Sequence, residues 1–139
     1  MSTKILMVAS SLFLGLAGVA ASFAPSELLR ALGSPEVEPL PVLIQLLGGT
    51  YVAFALTNWT AKDNMIGGIY SRPLSLGNSI HFVAGALALA KQQFSHEVST
   101  PLTAALIIYT VFAILFAWLV FGQGAACKVA APEQPNSRY

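Results

Sequence analysis

Charge is scarce in this chain. Asp, Glu, Lys and Arg make up 9% of its 139 residues, where a soluble globular protein carries about a quarter. Hydrophobic residues reach 55% and the mean hydropathy is +0.69, so a fold in water would have too little polar surface to cover itself. A soluble enzyme is excluded on that ground. The seven Lys and Arg are scattered singly and the formal net charge is +1, which leaves no basic footprint for nucleic acid. The single cysteine, Cys127, has no partner for an internal disulfide, so an oxidised extracellular scaffold is excluded too. Histidine is also rare. His81 and His96 are the two, and the pattern puts His96 in a 91–100 loop, on the opposite side from the approach to His81. They have no means of gripping one metal ion or haem iron together, and no metal or cofactor is expected. All the acidic residues fall outside the hydrophobic runs, so a buried carboxylate pair for acid–base work is absent.

What the chain has instead is oil-soluble length. Residues 5–24, after a lone Lys4, are apolar or small. At about 1.5 Å per residue, such a run spans the roughly 30 Å hydrocarbon layer. A cleaved signal peptide is the rival reading, but the run stays apolar past the candidate cleavage region around Gly18 to Ser22. Ser11, Gly15, Gly18 and Ser22 form a stripe of small residues, as close helix packing in lipid requires. Pro25 opens and Gly33 closes a short amphipathic helix, with Leu28, Leu29 and Leu32 on one side, expected at the membrane surface. Further spans are expected at about 40–60, 74–91 and 101–121, with Gly122 as a stop and a polar tail over 122–139. Within them, Gly48-Gly49 allows another backbone close. The expected inward stripes are Tyr51, Ala55, Asn58 and Lys62; Gly77, Asn78, His81, Gly85 and Ala88; and Thr103, Thr110, Ala113 and Ala117. The fold class is therefore all-α: a single membrane domain over 1–139, a four-transmembrane-helix bundle with one interfacial helix between the first two spans.

Sidedness follows from the basic residues. With four spans, Lys4, Lys62, Arg72, Lys128 and Arg138 share one side, against Arg30 and Lys91 on the other. The positive-inside bias then places both termini in the cytoplasm, with Trp59 and Trp118 near that face.

Most of the polar chemistry sits between Thr57 and His81. His81 is eight residues past Pro73, about 12 Å along a helix, where an imidazole must face protein because lipid offers no partner. Asn78, one turn back, is its expected neighbour. Proton transfer or grip on a polar headgroup or carbonyl is one reading. A neutral histidine bonded to Gln45, Asn58 or Tyr109 that merely joins helices is the other. Lys62, Arg72 and the start of the third long helix make a modest anion site. Alternatively the two cations snorkel to headgroups, with Asp63 pairing one of them. The candidate pocket is Gln45, Asn58, Lys62, Tyr70, Arg72, Asn78 and His81. Nucleophilic catalysis has little support, since no acidic group stands in the third span to orient a Ser75–His81 pair.

Leu47-Gly48-Gly49, Asn58-Trp59, the run Gly67-Gly68-Ile69-Tyr70-Ser71-Arg72-Pro73, and Gly77-Asn78 followed by His81 give the chain its character. In these it resembles small bacterial four-helix integral membrane proteins without an assigned activity. The resemblance covers about residues 5–122. It implies a bundle in the inner membrane and carries over no catalytic residues. Two functions compete. One is a non-enzymatic bundle that binds a lipophilic molecule, a partner membrane protein or a second copy of itself. The other is a membrane enzyme or small carrier with a cytoplasm-facing pocket at His81; an accessory subunit of a larger complex is a third, weaker idea.

Overall fold

The computed structural model describes residues 3–35, 37–63, 71–95 and 100–129, with 71, 95 and 123–129 by backbone alone. The described residues form five helices and no strand: α1 (Thr3–Phe23), α2 (Pro25–Ala31), α3 (Leu40–Ala61), α4 (Ser71–Ser95) and α5 (Thr100–Val129). Four of them are long and apolar enough to cross a membrane. The chain thus has the helices of a multi-pass membrane protein. The unusual apolar content is spent on their outer faces, where Leu12, Leu16, Leu46, Leu56, Ile80, Leu87 and Ile114 are all exposed.

The helix ends follow local chemistry. Pro25 takes the first turn of α2, where a missing N–H costs nothing. Gly33, at φ 71°, closes it, with Gly33 N–H donating to the Arg30 carbonyl and Ser34 N–H to that of Leu29. Only glycine takes that left-handed turn without strain, so the expected stop holds. Two expected boundaries do not. α4 begins at Ser71, before Pro73, and runs past Lys91 to Ser95. Pro73 falls in its first turn, and Lys91-Gln92-Gln93 are straight-chain helix formers. α5 continues through Gly122 to Val129, so Gly122 is no stop. Gly122 and Gly124 each cost the helix about 1 kcal/mol, and Ala125 and Ala126, the best helix formers, carry it on.

The long helices pack in two close antiparallel pairs. α1 lies on α3 along the stripe of small residues: Ser11 Oγ donates to the Ala55 carbonyl at 2.7 Å. A Cβ on Gly18 would sit 2.8 Å from the Gly48 carbonyl oxygen and the Val52 nitrogen. This is a backbone-on-backbone crossing that only glycine permits. α4 lies on α5, where Gly85 gives up its side chain to the Tyr109 ring and Gln93 Nε2 donates to Thr103 Oγ1 at 3.0 Å. Side chains join the two pairs. Phe13 of α1 reaches Tyr109 at 5.8 Å and Phe112 at 5.7 Å, while within the α4–α5 pair Phe82 and Phe116 are fully buried and stacked at 5.6 Å.

Two inward stripes turn out differently from the sequence expectation. On α4 the buried residues are Ser75, Asn78, Ser79 and Phe82, with His81 and Gly85 at their edge and Ala88 exposed. On α5 it is Tyr109, Ala113, Phe116 and Leu119, and Thr110 is exposed. Large rings gain more from packing than small residues do, so they set the rotation of the helix. The Thr110 hydroxyl satisfies itself by donating to the Leu106 carbonyl at 2.8 Å, which lets it face outward.

Candidate functional site

Two polar centres are built inside this frame. The first is a clasp between α1, α3 and α4. Asn58 Nδ2 donates to Asn78 Oδ1 at 2.8 Å and to Ser10 Oγ at 3.0 Å. Asn78 Nδ2 donates back to Asn58 Oδ1 at 2.7 Å and to the Leu74 carbonyl at 2.9 Å. Ser10 Oγ in turn donates to the Met7 carbonyl at 3.0 Å. All three side chains are fully buried. Each amide N–H is used, so the clasp has no donor left for a ligand. Asn78 is the partner of Asn58, not of His81 as the helical spacing suggested. The reason is geometric: antiparallel α3 and α4 bring residues 58 and 78 level, and two amides satisfy each other completely.

The second centre is His81. Its imidazole is ringed by Phe54 (5.1 Å between centroids, stacked at 27°), Phe82 (5.1 Å, 75°), Tyr51 (5.2 Å, 90°) and Tyr109 (5.8 Å, 46°). Glycines one turn either side make room for two of these rings. Phe54 lies 3.8 Å from the Cβ position of Gly77, and Tyr109 lies over Gly85. The Tyr109 hydroxyl donates to that of Tyr51 at 2.6 Å. His81 Nε2 is buried and has no hydrogen-bond partner among the described residues. The rest of the side chain is only half-buried, as are Tyr51, Phe54, Gly77 and Gly85. None of the three partners expected for a purely structural histidine, Gln45, Asn58 or Tyr109, bonds to it; Tyr109 meets it ring to ring.

The six candidate residues that are described do not gather at one point. Gln45 is exposed, and its Nε2 reaches only the Ser22 carbonyl, at 3.5 Å. It stands about 20 Å along α3 from Asn58. Lys62 folds over the Trp59 ring, its Nζ 3.7 Å from the centroid. Arg72 is exposed in the first turn of α4, about 14 Å along the helix from His81. Tyr70, like His96 and the Gly67-Gly68 turn, lies outside the described residues, and Cys127 is described by backbone alone.

Asp63 pairs neither with Lys62 nor with Arg72: Lys4 Nζ lies 2.6 Å from its Oδ1, because antiparallel packing sets the start of α1 beside the end of α3. The Lys4 hydrogen bond holds the Asp63 carboxyl below its ordinary value against an opposing desolvation, with the Lys4 and Lys62 charges adding to it. Sequence reasoning passed over the ring residues Phe54 and Phe82 and the clasp residue Ser10. The signal for the rings was present, as Tyr51 and Phe54 on α3 and Tyr109, Phe112 and Phe116 on α5 recur at helical spacings. Among the described residues, no three His, Cys, Asp or Glu side chains gather to hold a metal ion.

No protein family, no curated protein and no solved structure matches this chain. What the fold and the site define is a class: an all-helical chain with four helices able to cross a membrane. Among them lie one closed amide clasp and, among the described residues, two enclosed polar atoms without a partner, His81 Nε2 and Ser75 Oγ.

Proposed function

We propose that this is a small inner-membrane protein, a four-helix bundle with α2 at the membrane surface, that binds a lipophilic molecule at His81 without catalysing a reaction on it. The observation that carries the reading is the enclosed Nε2. A polar atom kept from water and lipid without a partner costs about 1–3 kcal/mol, and ionisable side chains inside membrane helices mark ligand or ion sites more often than they serve as glue. The half-buried flank of the site lies where α3 faces α4, the seam from which a molecule dissolved in the bilayer would approach. The enzyme reading needs Arg72, Asn58, Asn78 and His81 to act on one substrate. Two of these are consumed by each other and a third stands far off, so the binding reading is the better supported.

The test is His81→Phe, which keeps a ring for Phe54 and Phe82 to pack against but removes the nitrogen. The expected outcome is a variant with unchanged helical content and thermal stability in detergent. It should also lose a small molecule that native mass spectrometry finds on the wild-type protein. A bare wild-type protein, or a ligand that survives the change, would refute the reading.

We also propose that both termini face the cytoplasm. The distribution of Lys and Arg supports this, and the Lys4–Asp63 contact agrees with a shared side for the amino terminus and the 61–73 segment. Cys127 should then escape an impermeant thiol reagent in intact cells and react after permeabilisation. Labelling in intact cells would reverse the orientation.

A further inference from the structure

We infer that the molecule taken up at His81 is a flat, uncharged, lipid-soluble carbonyl compound of the quinone type, and that Phe54 occupies its place when it is absent. The inference rests on the binding reading above and narrows its ligand. Charge comes first. The charged side chains described lie at the helix ends or between helices: Lys4, Glu27, Arg30, Glu38, Lys62, Asp63, Arg72 and Lys91. None accompanies His81 at mid-helix, so a fatty acid or phospholipid headgroup would be stranded there without a counter-charge.

Shape is the second constraint. The imidazole has one ring stacked on it, Phe54, and three others tilted or edge-on. Phe54 is also half-buried and comes from α3, which meets α4 through side chains and without the backbone proximity seen between α1 and α3. Moving Phe54 off the imidazole breaks no hydrogen bond, whereas Tyr51 and Tyr109 are bonded to each other and Phe82 is fully buried. A planar ligand entering there would replace one stacked ring by another, with no loss of aromatic contact.

The polar atom is the third. With the proton of the neutral imidazole on Nε2, this nitrogen is a donor without an acceptor among the described residues. Tyr109 donates its hydroxyl proton to Tyr51, and neither hydroxyl is within hydrogen-bond reach of Nε2. A nitrogen that donates selects a carbonyl oxygen. The assignment therefore combines one carbonyl, one flat ring and no net charge.

The test uses the full chain in detergent, with three probes added in turn: decylubiquinone (flat, neutral), monoolein (neutral, not flat) and palmitate (charged). Adducts are counted by native mass spectrometry, and the His81 nitrogen is followed by NMR on ¹⁵N-histidine-labelled protein. Decylubiquinone should bind saturably, move the Nε2 resonance, and bind about tenfold more weakly to His81→Phe, the value of one hydrogen bond. Phe54→Ala, which vacates the stacking position, should bind it more tightly, and Phe54→Trp, which overfills it, more weakly. Circular dichroism on both Phe54 variants confirms that each is folded.

Binding of monoolein or palmitate with the same dependence on His81, and not of the quinone, would overturn the ligand class while leaving the binding reading standing. Quinone binding insensitive to both Phe54 variants would overturn the replacement of Phe54. Failure of every probe together with a bare wild-type protein would remove both readings.

Discussion

At the scale of single residues, the governing fact is that an amide in oil has nowhere else to turn. Asn58 and Asn78 are both at 0% exposure and use each other's oxygen and nitrogen. Replacing one of them by Leu leaves the other half of the clasp buried and unpaired. Asn58→Leu or Asn78→Leu should therefore each destabilise the protein by about 1–3 kcal/mol. The double Leu variant should recover part of the loss, with a coupling energy of about 1 kcal/mol, the range found for hydrogen bonds between membrane helices. Unfolding in mixed micelles measures all three, and additive losses would show that the two amides do not act as a pair. That both residues face inward was legible in the sequence, from polarity at membrane depth. Which partner each would take was not, because helical spacing reports only neighbours on the same helix. The amide that satisfies Asn78 arrives from another one.

Helices are positioned by what their neighbours lack. The sequence shows Gly48 and Gly49 as equivalent, yet the packing of α1 against α3 makes them opposites. A Cβ at position 48 would meet Ser22 Oγ at 2.5 Å, Ser22 N at 2.7 Å and the Gly18 carbonyl oxygen at 2.8 Å, whereas at position 49 nothing lies within 4 Å. Gly48→Ala should push α1 away and cost about 1–3 kcal/mol by overpacking. Gly49→Ala should be neutral or stabilising by up to about 1 kcal/mol, since alanine is the better helix former. Thermal denaturation of the two variants side by side decides it, and equal effects would contradict the crossing described. The stripe of Ser11, Gly15, Gly18 and Ser22 was legible because close helix approach in lipid requires small residues at these intervals. The faces of α4 and α5 were misjudged by the same rule. There, burying the large rings of Phe82, Tyr109 and Phe116 outweighs a stripe of small residues and rotates both helices toward them.

For the whole molecule, one exposed ion pair ties the beginning of the first membrane helix to the end of the second. Because Lys4 holds the Asp63 carboxyl below its ordinary value near 3.8, the folded state binds this proton less readily than the unfolded chain. The stabilisation is thus present above the unfolded value and is lost as pH falls through the lowered one. Both side chains are exposed, so the contribution is small. Asp63→Asn should melt slightly below wild type at neutral pH, and the gap should close in acid, as thermal scans across that range would record. A gap that widened in acid would mean that the pair is not the cause. The sequence by itself determined the solvent of this protein and the number of its long helices, since scarcity of charge and runs of apolar residues act locally and need no partner to be recognised. Only the tertiary structure decided which polar groups satisfy one another and which, His81 Nε2 and Ser75 Oγ among the described residues, are left without a partner. Burial of a hydrogen-bonding atom depends on what several helices bring to one point, and here they bring two amides to each other and four aromatic rings to His81.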